Sequence, residues 1–156
     1  KAKRRSDGRF FAVKVIDLTR PQPSSTFRET TTSEKDDSAE KKKAMAAARA
    51  ARMRRELAIH SNLPKHPHVV ECVEAFSGSR RSHLVLELCG GTLMDAVVAS
   101  PTSEQKAAGL AQQVLSALAF LHSREVVHRD VKLENLLFSS EDDKDRVLLV
   151  DFGSAR

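Results

Sequence analysis

Val126-Val127-His128-Arg129-Asp130-Val131-Lys132-Leu133-Glu134-Asn135-Leu136-Leu137-Phe138 is apolar at both ends and charged in the middle. The apolar pair before the loop and the triplet after it read as two short buried strands, clamping a segment that carries two cations and three acid or amide side chains. A loop held so rigidly is a place for chemistry. A second apolar run, Val147 to Val150, ends in Asp151-Phe152-Gly153. Between the two, Ser139 to Arg146 is a polar turn joining two strands, so Asn135 and Asp151 come back beside one another.

The whole chain has 156 residues, 40% of them hydrophobic, enough for one domain or parts of two. Lys and Arg total 26 against 21 Asp and Glu, and the excess sits in Lys1 to Arg5 and Lys41 to Arg55. With no Trp or Tyr, and no aromatics interleaved with those charges, base stacking has little to work with and nucleic acid is disfavoured as a partner. Two distant cysteines, Cys72 and Cys89, fit a reducing compartment, so a cytoplasmic or nuclear location is expected. No stretch is long or apolar enough to span a membrane, and none has the form of a signal peptide. The first residue is Lys, and a piece of a longer protein is expected.

Upstream, the turn Ser6-Asp7-Gly8 leads into Arg9-Phe10-Phe11-Ala12-Val13-Lys14-Val15-Ile16. A lysine inside an apolar run is costly unless paired, so Lys14 wants an anionic partner; for this segment alone, an edge-strand lysine that blocks aggregation is the preferred reading. Residues from about 17 to 43 are rich in Ser, Thr, Pro and charge and read as a flexible, inert insertion. From about Glu40 to Leu63, Ala, Lys, Arg, Glu and Met predict a helix that Pro64 stops. Helical spacing puts Arg52, Met53, Glu56, His60 and Leu63 on one face, so Glu56 can point inward and is the best candidate partner for Lys14; by itself it reads equally as a solvated helix glutamate, and only the family resemblance below decides.

Strands are expected around Glu71 to Phe76 and His83 to Leu88, and Gly90-Gly91 reads as a flexible joint before a helical segment at Thr92 to Val98. Ser100-Pro101-Thr102-Ser103-Glu104 starts a core helix, with Ala107, Leu110, Val114, Leu118 and Leu121 at helical spacing. His66 and His68 lack the Cys or acidic neighbours that zinc sites use.

The spacing of His128-Arg129-Asp130, Asn135 and Asp151-Phe152-Gly153, preceded by Ala12-Val13-Lys14, resembles the protein kinase family. Arg54-Arg55-Glu56 followed by His66-Pro67-His68-Val69-Val70 is similar to calcium-dependent and calcium/calmodulin-dependent protein kinases. The resemblance implies an α+β, two-lobed fold that is incomplete: part of the N-lobe over 1–86, a hinge over 87–91 and the start of the C-lobe over 92–156. It implies ATP and Mg²⁺ as cofactors and phosphorylation of protein serine or threonine. Lys14, oriented by Glu56, would hold the α and β phosphates; backbone groups near Glu87 and Cys89 would bond adenine behind Leu86, with Ala12 and Leu137 in the same nucleotide site. Asn135 and Asp151 would be the metal's oxygen ligands. Asp130 would be the base and Lys132 would neutralise the γ-phosphate.

By the same resemblance, Lys132 two places after Asp130 is a serine/threonine pattern, and Glu134 suits a protein substrate with basic residues near its target. Arg129 resembles kinases switched on by phosphorylation, and Phe152, His128, Cys72 and His60 would align as a stack joining the lobes. Five features depart from the family. No Gly-x-Gly-x-x-Gly occurs in these residues, and no activation segment follows Arg156, so an incomplete domain of poor solubility is expected. An inactive relative that binds nucleotide or partners is the alternative. His60 falls where the stack usually holds Leu or Met, and its polar ring should weaken the assembled state. Thr92 stands where a ribose- or arginine-binding acid is common, and the hinge is one residue short.

Overall fold

The apolar run after the Ser6 to Gly8 turn forms strand β2 (Phe10–Asp17), paired back on the short β1 (Ala2–Lys3). Gly8 sits at φ 73, a left-handed conformation that glycine adopts without a Cβ clash, and Asp7 caps the turn by accepting from the Arg9 N–H at 3.0 Å. The computed structural model describes residues 1–17 and 39–156. The remaining elements are α1 (Ala39–Asn62), β3 (Cys72–Ser77), β4 (Arg81–Glu87), α2 (Leu93–Ala99), α3 (Glu104–His122), β5 (Leu136–Phe138) and β6 (Val147–Leu149). Short 3₁₀ turns lie at Leu133–Asn135 and Phe152–Ser154.

One antiparallel sheet has the order β1-β2-β4-β3, and β5-β6 is a separate hairpin. The fold is α+β, as expected. Strand alternation puts Ala12, Lys14 and Ile16 on one face, opposite Leu86, Leu84 and Ser82 of β4. Leu84 and Ile16 are buried there. Helix α1 starts at Ala39, inside the stretch expected to be loop, because Ala39 to Lys43 are helix formers with no breaker among them. At the other end Asp17 closes β2; residues 18–38, where the rest of the expected insertion falls, lie outside the described residues.

Helix α3 is capped by Ser103, whose hydroxyl accepts from the Lys106 N–H, and buries Leu110, Ala117 and Leu121. Ala107, expected on the core stripe, is exposed: it belongs to the first turn, ahead of the buried Leu110. One further expectation is corrected. Val126 and Val127 form no buried strand. The Val126 N–H closes the end of α3 on the Leu121 carbonyl, while Val127 is 48% exposed and exchanges backbone bonds with Arg156. The Gly90-Gly91 joint is stitched to β5 through Gly90 N–H to the Phe138 carbonyl, 2.8 Å, and Phe138 N–H to the Gly91 carbonyl, 3.0 Å. A Cβ on Gly90 would come within 2.5 Å of the Ser140 carbonyl oxygen, so this glycine serves close approach. Among the described residues, no helix is long and apolar enough to cross a membrane.

Candidate active site

Lys14 projects from the face of β2 that meets α1, and its Nζ donates to the Glu56 carboxylate and to Asp151 Oδ1, the latter at 2.7 Å. Three distant elements therefore converge on one ammonium. Burial works against the Lys14 charge, but Glu56 and then Asp151 outweigh it, so its pKa is raised. Glu56 is 7% exposed, on the face of α1 that helical spacing predicts. Asp151 is likewise penalised by burial, and Lys14 reverses the balance to lower its pKa.

The Asp151 backbone is left-handed, φ 63 and ψ 80, a conformation that Asp tolerates when its side chain bonds locally. Here Oδ1 accepts the Gly153 N–H at 3.3 Å. Gly153 itself is crowded: a Cβ there would stand 3.2 Å from Asp151 Oδ1 and 3.4 Å from Glu56 Oε2.

Residues 128–135 form a second, local cluster. Asn135 Nδ2 donates to the Asp130 carbonyl at 2.8 Å and to Asp130 Oδ2 at 3.0 Å, and Lys132 Nζ donates to the same Oδ2 at 2.9 Å. Both side-chain bonds fall on Oδ2, so Oδ1 keeps acceptor capacity for an incoming hydroxyl. The bond to Asp130 raises the Lys132 pKa. Because Asn135 spends its amide hydrogens on Asp130, its Oδ1 is the atom left to face a cation. The Val150 N–H bonds the Asn135 carbonyl at 3.0 Å, which brings the end of β6, and thus Asp151, beside this loop.

Phe152 is fully buried between two imidazoles, with ring centroids 4.6 Å from His60 and 5.1 Å from His128. His128 Nε2 donates to the Val150 carbonyl at 3.0 Å while its Nδ1 faces the Asp130 N–H at 3.4 Å, the pattern of a neutral ring. His60 meets the Val70 carbonyl at 3.0 Å. The expected penalty for a polar ring in the stack is thereby offset, since the imidazole has a partner. Cys72 opens β3 opposite Leu86, its thiol turned to the Glu74 carbonyl at 3.5 Å.

The other nucleotide-site candidates fall in two places. Ala12 and Leu86 are register partners on the inner sheet face. At the start of the hinge, Glu87 is pinned to β3: its N–H bonds the Glu71 carbonyl at 3.1 Å, and its carboxylate accepts the Glu71 N–H at 2.6 Å. Cys89 is half-buried, and burial followed by the Glu87 charge pushes its thiol pKa up to about 11. Leu137 lies in β5, bridged to Thr92 across the glycine pair. Thr92 serves as the N-cap of α2, accepting the Asp95 N–H.

Sequence reasoning missed Gln113. Its Nε2 donates to the Asp145 carbonyl at 2.7 Å and its Oε1 accepts the Val147 N–H at 2.9 Å, so one amide on α3 holds the return of the β5-β6 hairpin. The available signal was a polar residue beside the buried stripe of Leu110, Ala117 and Leu121. His66 and His68 brace the turn before β3: His66 stacks on Phe120 at 4.5 Å, and His68 Nδ1 bonds the Val147 carbonyl at 3.1 Å.

Among the described residues, no group of three or more His, Cys, Asp or Glu is arranged to hold a metal ion. An Asn oxygen and an Asp carboxylate do fit Mg²⁺, which keeps water and phosphate in most of its coordination sphere. Beyond Asp151, a cavity of about 470 Å³ is lined by Arg55, Arg129 and Arg156. Arg129, at φ 64, donates Nε to the Ser154 carbonyl at 2.6 Å.

The chain is 41% identical over 103 residues to calcium-dependent protein kinase 10 of Arabidopsis thaliana, covering 65% of this chain and 19% of that protein. It is 40% identical over 104 residues to calcium/calmodulin-dependent serine/threonine-protein kinase 1 of Oryza sativa subsp. japonica, covering 65% and 17%. Against calcium-dependent protein kinase 5 of Plasmodium berghei it is 36% identical over 106 residues, covering 67% and 19%. The aligned part is thus under a fifth of each relative's length. The protein kinase domain family model matches residues 1–156, and with its lysine held between a helix glutamate and the aspartate of Asp-Phe-Gly, the chain belongs to the protein kinase domain family.

Proposed function

We propose that these residues carry ATP-dependent phosphorylation of serine or threonine hydroxyls on protein substrates. The observation that carries this reading is Lys14 Nζ between Glu56 and Asp151, a cation held by one helix anion and by the anion of the metal motif. Phosphoryl transfer needs positioning and charge neutralisation more than covalent chemistry by the protein, and this arrangement supplies both. Lys14 orients the α and β phosphates. The backbone near Glu87 and Cys89 bonds adenine, with Ala12, Leu86 and Leu137 around the ring. Asn135 Oδ1 and the Asp151 carboxylate hold Mg²⁺, which when bound offsets the phosphate charge.

Asp130 takes the proton of the attacking hydroxyl on Oδ1, and Lys132, fixed on Oδ2, balances negative charge as it develops. Glu134 is exposed and suits a substrate with basic residues near the target. Arg55, Arg129 and Arg156 suit a phosphate on the activation segment, which would make the enzyme one switched on by phosphorylation. Free thiols at Cys72 and Cys89 suit a cytoplasmic or nuclear setting.

The test is transfer of labelled γ-phosphate from Mg-ATP to a basic serine peptide by the full-length protein, beside Asp130→Asn and Asp151→Asn. Transfer that both substitutions abolish supports the reading. ATP binding without transfer would favour an inactive nucleotide-binding relative, and absence of both would overturn the nucleotide site itself.

A further inference from the structure

His60 is the one imidazole on the buried face of α1, 2% exposed, and it touches Phe152 on one side and the Val70 carbonyl on the other. A carbonyl only accepts, so Nε2 carries the proton and the ring ties the C-terminal part of α1 to the chain entering β3. We propose that the seating of Phe152, and with it the Lys14–Asp151 pair, is proton-linked through His60: the neutral imidazole holds the seated arrangement, and the imidazolium releases it.

The surroundings fix the sign. Burial is the largest influence and disfavours the charged ring; Lys14 from β2 and His128 from the catalytic loop act the same way, while the Val70 carbonyl and Asp151 oppose them without reversing the balance. On α1 itself Glu56 lies one turn away, already committed to Lys14. On β3, burial raises the pKa of the Cys72 thiol, so it brings no charge at neutral pH. The seated state therefore has a lowered His60 pKa and the released state an ordinary one near 6.5. Its contribution is complete above about 6.5 and is lost as pH falls from there through the lowered value. Phe152 follows Asp151 directly in the chain, so a charged His60 weakens the assembly at the residue next to the candidate metal ligand.

Two readouts on the full-length protein test this, and only the first depends on the kinase reading above. The pH dependence of kcat/KM between about pH 7.5 and 5.5 is compared for wild type, His60→Leu and His60→Gln; glutamine can still donate to Val70 but does not titrate. Wild type should lose up to about tenfold more than either variant, the most that one proton can contribute over the single pH unit from 6.5 down to 5.5. Equal slopes in wild type and His60→Gln overturn the proposal. The second readout is the titration of the six imidazoles by histidine NMR in the wild-type protein, which requires neither turnover nor a variant. One ring held neutral well below pH 6.5, and lost from the spectrum of His60→Gln, supports the linkage. Six rings titrating at ordinary values overturn it, whatever the activity. Absence of phosphate transfer by wild type at pH 7.5 would count against the kinase reading and leave this second readout to decide.

Discussion

The two charged centres of the site are assembled in opposite ways. Asp130 is bonded by Lys132 two residues away and by Asn135 five residues away, whereas Lys14 meets Glu56 at a separation of 42 and Asp151 at 137. The first centre needs only a tight loop with the right side chains in order. The second exists only once a sheet, a helix and a hairpin have docked, so it carries the entropy of closing long stretches of chain. The local cluster does not depend on that docking, whereas the long-range pair does.

Asp130→Asn should give the largest effect, because it removes the proton acceptor and leaves the long-range pair intact. Phosphate transfer should fall by about 10²- to 10⁴-fold with little change in melting temperature. A comparable fall in melting temperature would mean that the local cluster is not independent. Glu56→Gln attacks the other centre: a hydrogen bond survives, but the compensating charge on Lys14 does not. The expected loss in kcat/KM for ATP is roughly 10- to 100-fold, the scale of one charge-assisted bond, read by steady-state kinetics. An unchanged kcat/KM would indicate that Asp151 alone positions Lys14.

The pH behaviour sharpens the same contrast. The raised Lys14 pKa makes its pairing complete below its ordinary value of 10.5, with loss only as pH rises through the raised value. The lowered Asp151 pKa makes its share complete above 3.8, with loss only as pH falls through the lowered value. By its own titration the ion pair is insensitive near neutrality, so a slope between pH 5.5 and 7.5 comes from other groups, the imidazoles of His60 and His128 beside Phe152 among them.

Gln113→Leu probes how far the local region depends on a helix remote in sequence. It strands the part-buried Val147 N–H, while the exposed Asp145 carbonyl turns to water, and should cost about 1–3 kcal/mol, measured by urea unfolding. Retention of wild-type stability would mean that the hairpin stands without its helix clamp. The smallest effect is expected at the hinge. With its pKa near 11, Cys89 should alkylate at pH 8 at least about tenfold more slowly in the folded protein than in urea. Equal rates would indicate that the hinge thiol is not shielded by its neighbours.

By itself the sequence determined the elements whose information is local. Helix α1 was legible from a run of helix formers, α3 from its Ser103 cap and apolar spacing, and β2 from an apolar run after a turn. The order and spacing of His128, Asp130, Asn135 and Asp151 carried the resemblance that implied the chemistry; the first three lie within a few residues of one another, whereas Asp151 reaches them through the β5-β6 hairpin. Helical periodicity gave Glu56 a face, but only the resemblance to the family separated it from a solvated helix glutamate.

Tertiary structure decided what depends on contacts between remote segments. Gly90 proved necessary because the Ser140 carbonyl crowds it, which no local pattern reveals. Val126 and Val127 look like a strand, yet the end of α3 and the Arg156 backbone take their hydrogen bonds. Gln113 reads as a surface amide until the hairpin supplies its two partners. His60 reads as a misfit in an apolar stack until the Val70 carbonyl satisfies its N–H. Periodicity along a chain can assign a residue to a face, but only docking brings the atoms that face will meet.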